Sequence, residues 1–200
     1  MRKLFIQVIL ALLCCALGCS PRDFLTRQLA GELISGSDSF KATQRFWLRT
    51  GIISNKDYLS PQYLVLQRHG WIIGNNAPCP AEVSPSPCWD VVLTPLGVET
   101  FRNLIQENAA QSSYFSVPAA RRQLLAVTGI TKDDQVAEAD FLWKWTPLNE
   151  VGVALYGDGV EYTSTVGFRR YDDGWRVIDS SQPRRYPSMD EALKNSEPER

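Results

Sequence analysis

Cysteines carry the clearest chemistry in this chain of 200 residues. A thiol can pair into a disulfide, ligate a metal or act as a nucleophile, and its neighbours decide which. Cys79 and Cys88 lie in a segment that also holds Pro78, Pro80, Pro85 and Pro87, and the residues between them include no cation to lower a thiol pKa. That setting fits a structural disulfide across a stiff loop better than a redox pair. Metal chemistry lacks its ligands: beyond residue 18 there is no C-x-x-C, and His69 is the only histidine. Neither a metal nor a cofactor is expected.

His69 is a general base by type, but no G-x-S-x-G elbow or other nucleophile motif accompanies it, so it reads as a polar residue near a helix C-terminus. Asp172-Asp173-Gly174 is a paired-carboxylate motif that a tight hairpin turn explains fully. No catalytic residue is assigned. Trp143, Trp145, Phe168, Tyr171 and Trp175 remain as a candidate ligand or partner face, since aromatics combine large apolar area with polar handles. The alternative is a metal-independent enzyme with an acidic pocket built on Glu138 or Asp140, which share one face of a strand.

These groups must be delivered and positioned. Met1-Arg2-Lys3 is a short basic start, and Leu4 to Leu17 is free of charge, the length of an export-signal core and too short to span a bilayer comfortably. Ala16-Leu17-Gly18-Cys19 closes the run and resembles the lipobox of bacterial lipoproteins, in which small residues precede a cysteine that is acylated before cleavage on its N-terminal side. Ala16 stands where that pattern usually has Leu, and ordinary signal cleavage after Ala-x-Gly is the competing outcome, giving a secreted or soluble periplasmic protein. Removal of residues 1–18 leaves Cys19, Cys79 and Cys88; pairing the last two leaves Cys19 over, which lipidation explains. The resemblance implies a lipid-anchored protein of the cell envelope, held by the outer membrane if the organism is Gram-negative, because Ser20 rather than Asp follows. Loss of Arg2 and Lys3 leaves 19 bases against 22 acids, a charge of −3, which disfavours nucleic acid as a partner.

Along the mature chain, Ser20-Pro21-Arg22-Asp23 announces a helix to about Ser35, with Leu25, Leu29 and Leu33 on one face, and a second helix is predicted for Phe40 to Arg49. Ser60-Pro61 opens a helix over 61–69, Trp71-Ile72-Ile73 and Trp89 to Leu93 read as strands, and Thr94-Pro95 opens another helix. This order, with Gly70-Trp71-Ile72 entering the hairpin and Leu93-Thr94-Pro95-Leu96-Gly97 leaving it, resembles over residues 60–107 the wing of MarR-type winged-helix proteins. DNA binding does not follow, because no Lys or Arg lies between Trp71 and Phe101. Beyond a small, polar stretch the period changes to two: strands at Gln123 to Thr128 and at Ala137 to Trp145, a helix within Pro147 to Tyr156, then Glu161 to Tyr171 and Trp175 to Asp179 around an Asp-Gly turn.

The predicted fold class is therefore α+β: an N-terminal helical, winged-helix-like half followed by a small antiparallel sheet with one short helix. Residues 1–18 are the signal peptide, 19–107 the winged-helix-like subdomain, 108–118 a linker, 119–180 the sheet subdomain and 181–200 a loose tail, with Asp190 to Lys194 able to form a helical turn. The function this implies is a membrane-tethered envelope lipoprotein acting as a binding or structural module, its partner an envelope protein or a small ligand.

Overall fold

The computed structural model describes residues 24–80, 87–104, 114–178 and 186–198; the predicted export signal and Cys19 lie outside them. Alternation decides the course of the chain after Phe40. Phe46 and Leu48 are buried while Arg45, Trp47 and Arg49 face outward, so Gln44–Arg49 is a strand, β1. Gly51, at φ +79°, admits the left-handed turn into β2 (Gly51–Ser54). The predicted helix over Phe40 to Arg49 is thus wrong except for its first residues, which close the short helix α2 (Asp38–Lys41) behind α1 (Arg27–Gly36).

The remaining elements are α3 (Asn55–Tyr58), α4 (Pro61–Arg68), β3 (Ile72–Ala77), β4 (Cys88–Leu93), α5 (Pro95–Arg102), β5 (Tyr114–Asp133), β6 (Val136–Pro147), α6 (Glu150–Tyr156), β7 (Glu161–Tyr171), β8 (Gly174–Val177), α7 (Met189–Lys194) and β9 (Glu197–Pro198). Six strands form one sheet in the order β1-β5-β6-β7-β8, with β9 beside β7, and β2-β4-β3 form a second. The helix, hairpin and helix expected within residues 60–107 are present as α4, β3, β4 and α5, but the hairpin takes β2 as a third strand, antiparallel to β4. The N-terminal half is therefore not a helical, winged-helix-like domain: antiparallel strands dominate the chain, and β1 pairs with β5 about 70 residues later, beyond the reach of local pattern.

The chain divides into two compact units. The first comprises the chain up to Phe40, Leu124–Trp143 and the chain from Tyr162 on; the second comprises Lys41–Gln123 and Lys144–Glu161. The second is built on Phe46, Leu48, Tyr63, Leu66, Trp71, Val91, Phe101, Val117 and Val151. Its close approaches fix two glycines: a Cβ at Gly97 would stand 1.9 Å from the Trp71 carbonyl oxygen, and one at Gly74 would stand 2.5 Å from the Tyr58 ring. Tyr58 in turn stacks on Trp89, whose indole N–H donates to Asn55 Oδ1 at 2.8 Å. Cys79 and Cys88 are joined in a disulfide, Cα to Cα 5.1 Å.

In the first unit, Thr26 caps α1, its hydroxyl accepting from the Leu29 N–H, while the predicted start at Ser20 lies outside the described residues. This turns Ala30 and Ile34 inward, with Leu29 and Leu33 half-buried beside them. Phe40 meets Phe141 edge-to-face. Trp143 stacks on Tyr162 and donates its indole N–H to the buried Ser164 hydroxyl at 3.0 Å, which satisfies the one polar atom an indole carries inside. The C-terminal segment is ordered by a capping box in which Ser188 and Glu191 exchange bonds at the start of α7, and Met189 is fully buried.

Candidate functional site

The outward face of β1 begins with a simple rule: in a strand, residues two apart point the same way. Arg45, Trp47 and Arg49 therefore form a row, and their partners across the ladder on β5 are Pro118, Ser116 and Tyr114. The Arg45 guanidinium donates to both the Ser116 hydroxyl and the Ser116 carbonyl oxygen, the latter at 3.2 Å. The Arg49 guanidinium lies 5.1 Å above the centre of the Tyr114 ring. Both cations are thereby held in place without neutralisation, since no carboxylate pairs with either among the described residues.

Between them Trp47 is 62% exposed and Tyr114 49%. An exposed indole flanked by two fixed guanidiniums is a platform for a flat or apolar group that carries negative charge. Its rigidity comes from beneath. Phe46 and Leu48 are buried in the core of the second unit, and the Tyr63 hydroxyl both accepts from the Arg49 backbone N–H at 2.7 Å and donates to the Arg49 carbonyl at 2.9 Å. Burial pushes the Tyr63 phenol above its ordinary pKa of 10.0, opposed by the Arg49 bond and charge.

The aromatic residues predicted as a binding face divide between the two units. Trp143, Phe168 and Trp175 are buried, Trp143 at 2% exposure, and serve the core of the first unit. Trp145 belongs to the second unit, where Arg122 lies 4.7 Å over its ring and Tyr156 tilts against it. Tyr171 alone is well exposed. Among the acids, Asp140 accepts from the Thr165 hydroxyl at 2.6 Å, and Glu138 borders a shallow cleft with Thr131, Asp133 and Tyr186. His69 caps α4 and stacks on Trp71 at 4.6 Å. Asp172 accepts from the Asp173 N–H within the hairpin turn.

A helix over Phe40 to Arg49 hides Trp47 as a surface residue; the period-two run Arg45-Phe46-Trp47-Leu48-Arg49 is the signal that locates it. Among the described residues no group of three His, Cys, Asp or Glu side chains is placed to hold a metal ion, and no helix is long and apolar enough to cross a membrane. Comparison with protein-family models, with curated proteins and with solved structures finds no match to this chain.

Proposed function

We propose that this chain is an exported protein, tethered through acylated Cys19, that acts as a binding module and presents the Arg45-Trp47-Arg49 row with Tyr114 to an acidic surface of an envelope partner protein. The observation that carries the reading is the 62% exposure of Trp47 between two cations fixed by Ser116 and Tyr114. Leaving an indole in water forgoes the burial that usually justifies it, and Trp, Tyr and Arg are the residues that dominate binding energy at protein interfaces. The Cys79–Cys88 disulfide is compatible with export.

The test is photo-crosslinking in intact cells from a benzophenone side chain at position 47. A discrete protein adduct that disappears with the double substitution Arg45→Glu and Arg49→Glu, without change in the melting curve, supports the module. With the partner in hand, Trp47→Ala should weaken binding by about 2 kcal/mol or more, roughly 30-fold, and leave stability within about 0.5 kcal/mol because the side chain buries little. Unchanged affinity in that variant refutes the assigned face.

A further inference from the structure

Three segments of the first unit meet at one end of its sheet. Lys132, near the end of β5, places its ammonium 6.0 Å from the centre of the Phe24 ring, which is 62% exposed. The Arg170 N–H donates to the Gln135 carbonyl at 2.8 Å, tying the end of β7 to the β5–β6 turn. On the same β7–β8 hairpin, Arg169 and Arg176 are direct cross-strand partners, with guanidiniums 5.8 and 5.0 Å from the centre of the exposed Tyr171 ring. Like charges placed directly opposite repel. Asp173 relieves Arg176 through an ion pair; among the described residues Arg169 has the Tyr171 ring and no carboxylate. Asp133, Asp134 and Asp172 also lie at this end, so the attraction it offers is local to Lys132 and Arg169 rather than a broad basic field.

Chain length says what covers this end. Phe24 is five residues beyond Cys19, and five residues fully extended reach at most about 18 Å. We infer that this end of the first unit rests on the bilayer, with Phe24 and Tyr171 in the headgroup region and Lys132 and Arg169 at lipid phosphates. Tyrosine and basic side chains are favoured at that depth, and a second membrane contact would limit swivelling about the acyl anchor. The inference rests on the acylation of Cys19 proposed above.

The experiment uses the acylated mature protein in vesicles of phosphatidylethanolamine and phosphatidylglycerol, with benzoylphenylalanine at position 24, 171 or 197. Glu197 pairs with Thr163, eight residues back along β7 from Tyr171, about 26 Å at 3.3 Å per residue. Lipid adducts at 24 and 171 and none at 197 are expected. An acylated protein that gives no lipid adduct at 24 or at 171, or gives as many at 197, overturns the inference while leaving the tether intact. An intact mass without acyl chains removes the tether and the inference with it. In unsubstituted protein, acetylation of Lys132 should slow several-fold in vesicles relative to the soluble Cys19→Ala variant, with Lys194 unchanged; equal rates at Lys132 likewise overturn it.

Discussion

Tyr63 shows how one side chain can close a strand edge. Its hydroxyl occupies both the N–H and the C=O of Arg49, which point away from β5. Tyr63→Phe leaves both groups without that partner and should cost about 1–3 kcal/mol in a denaturant melt. The pH dependence has a definite sign: the folded phenol holds its proton above the ordinary pKa of 10.0, so above about pH 10 the unfolded chain releases a proton that the folded chain retains. Stability should therefore fall as pH rises beyond about 10, and Tyr63→Phe should flatten that part of the curve. Residue type alone did not separate Trp47 from Trp143. Both stand in alternating runs, but Trp47 shares its face with Arg45 and Arg49 and meets water, whereas Trp143 shares its face with Ala139 and Phe141 and is buried.

At the scale of elements, punctuation was legible wherever a cap or turn acts locally. Ser60-Pro61 and Thr94-Pro95 open α4 and α5 as expected, and Asp172-Asp173-Gly174 turns β7 into β8. Illegible were β1, β2 and most of β5, whose stability comes from partners far away in sequence rather than from propensity. The disulfide was legible because the prolines and the spacing are local too. Reduction of Cys79–Cys88 should cost about 2–3 kcal/mol in the chain-entropy account, less what the prolines already remove from the unfolded state, and a urea melt with and without reductant measures it. In α7, bonds from the Ser188 backbone and hydroxyl hold the Glu191 carboxyl below the ordinary carboxylate range. Its contribution is complete above that range and is lost as pH falls through the lowered value. Amide exchange in α7 should accelerate in acid earlier than in α5, and Glu191→Ala should remove the pH dependence of α7 while leaving α5 protected.

For the molecule as a whole, the decisive variant is Cys19→Ala, which should move the protein from the membrane fraction to the soluble fraction, since two or more acyl chains anchor stably where one does not. A wild-type protein already soluble, with no lipid mass at its N-terminus, refutes the tether. The two units also set an order of events. The second is complete once Glu161 exists, whereas the first opens with the segment that ends at Phe40 and still needs Glu197 and Pro198, the strand that pairs with Tyr162 and Thr163. A chain born N-terminus first thus finishes last the unit it started first. At 5–20 residues per second the 37 residues from Glu161 to Pro198 take about 2–7 s to add, and until then β7 lacks its β9 partner. A frameshift near residue 185 would keep every residue of the second unit and remove α7 and β9 from the first.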